Sequence, residues 1–293
     1  MHHFSIKDVE NLSGIKAHTI RIWEQRYGLC SCKRKESQHR YYDNDGLKHI
    51  LRIAYLYHNG YKISKIADLA PEQIIQLASK KIGHNEFDVF INQLVEASLD
   101  YDQPQFEKVL NITLSMMGLE KWVEQIVYPF MHKIGLLWMT DHVLPAQEHF
   151  SSHIVQKKII VATDKLPANA SGKKDRFLLF TPEGEEHEIP LLIANYLLKK
   201  QGFKTIMFGK NVSLASLQYY CKHHTVSHLY FHLITNFTDC ETQGYLFKLA
   251  KLFPDKKIIA AGPLMKKISV DLPYNVTLIH SLKEVMDLAH QNN

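Results

Sequence analysis

Three groups of residues in this chain are able to do chemistry. In Gly184-Glu185-Glu186-His187-Glu188-Ile189-Pro190 a histidine follows a carboxylate by two positions. A neutral imidazole offers one ring nitrogen to a metal, and Glu185 can hold the other N–H of His187 and raise the ring's basicity. A solvent-exposed loop histidine among acids has the same sequence. The second group is Trp138, followed beyond Asp141-His142-Val143-Leu144-Pro145 by Glu148-His149. An indole and two polar groups there can face one cavity, or serve as a buried Trp and a capping Glu. The third group is cationic: Lys16, His18, Thr19 and Arg21, then Lys33-Arg34-Lys35 and Arg40 interleaved with Tyr41 and Tyr42. Such a mixture suits contact with nucleic-acid phosphates, although a Lys-Arg-Lys run alone is a solvated loop.

Cys30 and Cys32 are spaced so that two thiolates share a soft ion. Neither Cys221 nor Cys240 provides a local partner, so the pair reads as structural. Four scattered cysteines in 293 residues do not make a disulfide framework, and reduced thiols are expected.

These groups need elements to position them. Ser5-Ile6-Lys7-Asp8-Val9 begins a short helix, and Gly14 to Glu24 supplies a turn and a second helix, with Gly14 placed where the turn calls for positive φ. That helix-turn-helix directs Lys16, His18, Thr19 and Arg21 toward a major groove while Ile15, Ile20 and Trp23 face inward. Cys32 to Tyr42 then reads as a wing carrying Arg34 and Arg40. Turn, helix and wing together, rather than the charge run, point to DNA.

From about 72 to 163 apolar residues recur at helical spacing, as in Phe87, Phe90, Ile91, Leu94 and Val95. Pro145 favours a helix's first turn, so Trp138 closes one helix and Glu148 and His149 open the next. Residues 165 to 175 have the Pro, Gly, Ser and charge of an exposed connection. Strand-like and helical runs alternate beyond it, from Phe177–Thr181 and Ile189–Lys200 to Val276–Ile279 and Leu282–His290, as in a parallel sheet covered on both faces. Glu185 and His187 fall between the first strand and the first helix, at the edge where such sheets bind ligands.

The predicted fold is multidomain, α and α/β. A winged helix-turn-helix domain spans 1–72, a helical bundle 73–165, a linker 166–175, and a doubly wound parallel sheet 176–293. Each part is long enough for its own core. With 45% hydrophobic and 22% charged residues the composition is that of a globular protein, and no apolar run is long enough for a membrane span. The start, Met1-His2-His3-Phe4-Ser5-Ile6, lacks the pattern of a secretory signal, so a cytoplasmic location is expected. The net charge of +5 gains meaning from its clustering in the wing and second helix.

At this point the residues carry a resemblance. Arg21-Ile22-Trp23-Glu24-Gln25-Arg26-Tyr27-Gly28-Leu29, His39-Arg40-Tyr41-Tyr42 and Asn59-Gly60-Tyr61-Lys62-Ile63-Ser64-Lys65-Ile66 resemble the MerR-type winged-helix domain. Gln38 stands where that family usually has Gly. Family members bind promoter DNA as dimers or higher oligomers, which implies a homodimer or homotetramer here. Trp138, Glu148 and His149 match the Trp-x9-Glu-His motif in the helical cap of cobalamin-binding MerR-type regulators, where the Trp and Glu surround the cobalt's upper ligand. Glu185-x-His187 resembles the Asp/Glu-x-His-x-x-Gly signature of cobalamin-binding domains. The resemblance therefore implies a flavodoxin-like fold, a cobalamin cofactor, and His187 as the lower axial ligand of its cobalt.

The chain departs from that pattern at named positions. Pro190 replaces the signature Gly, His232 replaces the Ser that contacts the nucleotide tail, and Ala261-Gly262 replaces Gly-Gly. Larger side chains narrow the channel that takes the tail. Met139 stands where the light-sensing members place a cobalt-capturing His, so that light-driven step is not expected. The leading expectation is a DNA-binding transcription regulator, not an enzyme, whose sensor controls oligomerisation and DNA affinity. Its alternatives are a regulator whose sensor now serves a protein partner or another small molecule, and a corrinoid carrier for methyl transfer.

Overall fold

A computed structural model describes residues 4–30, 32–34, 40–78, 87–139, 145–167, 175–234 and 239–290. The chain divides into two compact units, Met1–Ile154 and Val155–Asn293.

The first unit begins with α1 (Ile6–Ser13) and α2 (Ala17–Tyr27). Ser5 and Asp8 form a reciprocal capping box, which satisfies N–H groups that the first turn leaves without helical partners. Gly14 ends α1 at φ 69°, the left-handed conformation the turn requires. Glu10 of α1 then accepts from the Ala17 N–H at 3.2 Å and fixes the start of α2. Ile15, Ile20 and Trp23 are buried, as their spacing predicts. Strands β1 (Lys33–Arg34) and β2 (Arg40–Tyr41) pair antiparallel, and the wing base is pinned by a bridge between Phe4 and Tyr42.

Helix α3 (Asn44–His58) buries Leu47, Ile50, Leu51, Ile53 and Ala54 and ties the reader to the helical region. Short helices α4 (Ile63–Ala67) and α5 (Pro71–Ala78) follow, then α6 (Asp88–Leu99), α7 (Gln103–Trp122), a π-helical stretch Val123–Val127, and α8 (Tyr128–Met139). Gly118, at φ 73° and ψ 170°, breaks α7 near its end, and the buried Trp122 Nε1 donates to Thr113 Oγ1 at 3.0 Å. Lys48 reaches both carboxylate oxygens of Asp100, at 2.7 and 2.5 Å, and Arg52 meets Glu96 at 2.5 Å. These half-buried pairs bind α3 to α6 and to its C-terminal cap.

Helix α9 (Pro145–Asp164) opens with Pro145, as expected, and the unit division falls within it. In the second unit β3 (Arg176–Pro182), α10 (Ile189–Lys200), β4 (Lys204–Val212), α11 (Leu214–His223), β5 (His228–His232), α12 (Asp239–Leu252), β6 (Lys257–Ala261), a 3-10 turn Pro263–Lys267, β7 (Val276–Ile279) and α13 (Leu282–His290) alternate. All strand pairs are parallel in the order β4-β3-β5-β6-β7. That is the flavodoxin-like order, with its topological switch between β3 and β5. Six of the seven β3 residues are buried, as two covered faces demand.

At the carboxyl edge, Gly262 has φ 120°, and a Cβ there would lie 2.0 Å from the Leu233 carbonyl oxygen. Only glycine lets the β5 and β6 ends approach so closely. Gly262→Ala is expected to destabilise the sheet unit by about 2 kcal/mol or more, read as a lower urea midpoint with an unchanged slope.

Candidate functional site

On α2 the burial of Ile20 and Trp23 forces the opposite side outward. Lys16, His18 and Arg21 are exposed, and Thr19 is half-buried beside them. Lys16 lies 3.2 Å from Glu10 yet keeps 83% of its side-chain exposure, so the pair leaves the cation at the surface. Gln25 and Arg26 extend the same exposed side by one turn. Helical periodicity carried onward from Arg21 is the signal that marks them.

In the wing, Arg34 and Arg40 are register partners across β1 and β2, and residues 35 to 39 lie outside the described residues. Lys33 and Asp43 form an ion pair that raises the lysine's pKa and, with the Gly46 N–H, lowers the carboxyl's. Asp43 also caps α3, so this pair aligns the wing with the helix behind it. Cys32 Sγ lies 2.9 Å from Glu24 Oε1, and burial, with Glu24's charge, pushes the Cys30 thiol up to about 12. Cys30 is therefore a protonated packing residue at neutral pH rather than the thiolate that metals need.

In the helical region the first turn of α9 is anchored from inside. The buried Gln147 donates to the Leu99 carbonyl at 2.8 Å, and Ser151 lies 2.5 Å from Ser98. This inward anchoring places Glu148 half-buried and His149 at 76% side-chain exposure, with Glu148 Oε2 3.7 Å from His149 Nε2. Trp138 is the penultimate residue of α8, and the connection 140–144 lies outside the described residues.

In the sheet unit Glu185 is fully buried although all five of its neighbours in 183–188 are exposed or half-exposed. Its Oε1 accepts from the His187 N–H at 3.0 Å and from His187 Nδ1 at 2.5 Å, and its Oε2 accepts from the Ile234 N–H at 2.8 Å. One carboxylate thus joins the loop after β3 to the loop after β5, across the topological switch. Thr181 Oγ1 donates to the Glu185 carbonyl at 2.6 Å and accepts from the Asn211 N–H, while Asn211 Oδ1 accepts from the Gly184 N–H. Because a carboxylate only accepts, Nδ1 of His187 carries the proton and Nε2 is the ring's lone-pair nitrogen. The imidazole is 44% exposed and its orientation is fixed from behind. A solvated acidic loop does not account for a buried Glu185.

The positions that depart from the family pattern are also placed. Pro190 stands in the first turn of α10, and Ala261 ends β6 with 1% exposure. His232 ends β5, and its Nδ1 is buried without a hydrogen-bond partner among the described residues. Burial lowers the His232 pKa to about 4, Glu185 opposing and His187 reinforcing that shift. Among the described residues no group of three or more His, Cys, Asp or Glu side chains is placed to hold a metal ion by itself. Sequence reasoning missed Thr181 and the Ile234 N–H, which act through hydrogen bonds that no spacing encodes.

Residues 4–73 match the family model of the MerR HTH family regulatory protein, and residues 90–162 match that of the B12 binding domain. The chain is therefore a DNA-binding regulator that joins a MerR-type reader to a B12-binding-type module. It is similar to two proteins of Myxococcus xanthus. The HTH-type transcriptional repressor CarH is 25% identical over 221 residues, covering 73% of each chain. The HTH-type transcriptional repressor CarA is 25% identical over 219 residues, covering 74% of this chain and 71% of its own. Among solved structures the Methanosarcina barkeri monomethylamine corrinoid protein aligns with a TM-score of 0.55 at 15% identity, over 71% of this chain and all of that one, a likeness of fold. No helix among the described residues is long and apolar enough to cross a membrane.

Arg21 is expected to contact DNA from the exposed side of α2. Arg21→Ala should weaken binding to a selected promoter duplex by about 10-fold or more at fixed salt, with an unchanged melting temperature. Fluorescence anisotropy measures it.

Proposed function

We propose that this protein reads a specific promoter sequence as a homodimer or homotetramer, and that a cobalamin-type ligand held at the carboxyl edge of its sheet alters its DNA affinity. It acts in the cytoplasm as a regulator rather than as a catalyst. Lys16, His18, Thr19, Arg21, Arg34 and Arg40 contact the DNA. Glu185 and His187 hold the ligand, and Trp138, Glu148 and His149 contribute to its recognition. The domain limits we propose are 1–72, 73–165 and 176–293, with 166–175 as linker.

The observation that carries the sensor reading is Glu185. A buried carboxylate is costly unless several donors meet it, and here two of the three N–H groups belong to His187. That arrangement supports a metal ligand by fixing the tautomer and strengthening the lone pair. His187, held from behind by Glu185, would hold the cobalt of a bound corrinoid, which would supply a metal able to accept this lone pair. The residues present fit that metal end of the ligand. The buried, unpartnered Nδ1 of His232 beside the pair is a polar handle that suits an occupant with hydrogen-bonding groups of its own.

The same His232, with Pro190 and Ala261, favours one second reading, in which the sensor has lost the nucleotide-tailed ligand and serves another small molecule or a protein partner. A corrinoid carrier for methyl transfer draws its support from fold likeness alone, and the attached reader argues against it.

The two readings separate by colour. Purified with added methyl-, hydroxo- or adenosylcobalamin, the protein should retain a red ligand, and His187→Ala should lose the axial-ligand bands of its visible spectrum while keeping the fold. Colourless protein with all three would sink the cobalamin reading and favour the second.

A further inference from the structure

Within the first unit α1, α3, α6 and α8 leave a cavity of about 60 Å³ that opens to solvent. Its apolar wall includes Leu12, Leu51 and Ala54, and its polar groups include His58, Asp88, Asn92 and Lys133. The reader supplies α1 and α3, and the helical region supplies α6 and α8, so the cavity sits in the joint between them.

Lys133 decides what this cavity holds. Its Nζ donates to Asn92 Oδ1 at 3.0 Å, which engages one of three N–H bonds. Among the described residues no carboxylate comes within ion-pair distance of it. Burial lowers the lysine's pKa, and the more distant Asp88 opposes that shift. A half-buried ammonium whose hydrogen bond among the described residues is to one neutral amide has donors left for an occupant of the cavity. With its oxygen facing Lys133, Asn92 keeps the N–H groups of its amide as further donors beside it. His58 is held apart from this set by its Nε2, which donates to the Ser13 carbonyl at 3.0 Å.

We propose that this cavity is a binding site for a small oxyanion, of carboxylate or phosphate class, held by Lys133 and Asn92. The volume admits a few waters or an ion of that size and excludes a drug-sized molecule. Asp88 lines the same cavity and repels an anion, so it sets an upper bound on affinity. Because the walls come from both sides of the joint, an occupant favours one docking of the reader on the helical region, and the anion biases DNA binding only to that extent. The site is independent of the corrinoid reading.

The test is calorimetric titration of the full chain with sodium phosphate and, separately, sodium acetate, with ionic strength held constant by sodium chloride. Saturable uptake of one anion per chain is expected, and which salt binds more tightly identifies the class. Lys133→Gln should weaken it about 10-fold or more, and Asp88→Asn should tighten it about 3-fold, since each changes one charge facing the ion. The thermal midpoint should rise with the anion in the wild type and not in Lys133→Gln. Absence of saturable uptake overturns the proposal, as does uptake that both substitutions leave unchanged, which places the ion on the cationic α2 instead. If Lys133→Gln fails to fold, Asp88→Asn decides alone, and an unchanged affinity there is equally fatal.

Discussion

A carboxylate removed from water must find donors, and the sheet unit is arranged around that demand at Glu185. Three N–H groups converge on it from two loops that the chain visits far apart in sequence. The parallel order β4-β3-β5 brings those loops side by side, because the chain reverses its winding direction between β3 and β5. Gly262 lets the β6 end close against Leu233, which holds the second loop where its Ile234 N–H meets Glu185. The exposed imidazole of His187 is thus the outward end of a buried network. Its geometry follows from the fold's handedness as much as from its neighbours.

The first unit solves a different problem. A recognition helix must present cations to solvent while its carrier transmits a signal, and α3 serves both ends. Its apolar residues complete the reader's core, while Lys48 and Arg52 fasten it to Asp100 and Glu96. The Lys133 cavity lies in the same joint. Charge pairs as well as hydrophobic packing therefore hold the reader against the helical region.

Much of this was legible in the residues. Ile189–Lys200, Val276–Ile279 and Leu282–His290 form elements at the bounds their patterns predict, because strand-like and helical apolar runs alternate there. The helix-turn-helix was equally plain, since Gly14 and the Ser5–Asp8 capping box are local devices. Other features were hidden. The π-helical stretch at Val123–Val127 and the break at Gly118 leave no periodic trace, and although spacing marked Glu185 as the partner of His187, nothing marked its burial or its link to the Ile234 N–H. Lys48, Asp100 and Lys133 carry no motif, because their partners are set by tertiary contacts between helices distant in sequence.

The proposed function binds these parts together: ligand at the sheet edge would change how the reader meets DNA. The most direct measurement titrates a promoter duplex, selected by the protein's own affinity from a random pool, with the full chain in the presence and absence of saturating hydroxocobalamin. The account predicts that the apparent Kd differs about 5-fold or more between the two conditions. A chain that holds the corrinoid and binds DNA equally well with and without it would contradict the account.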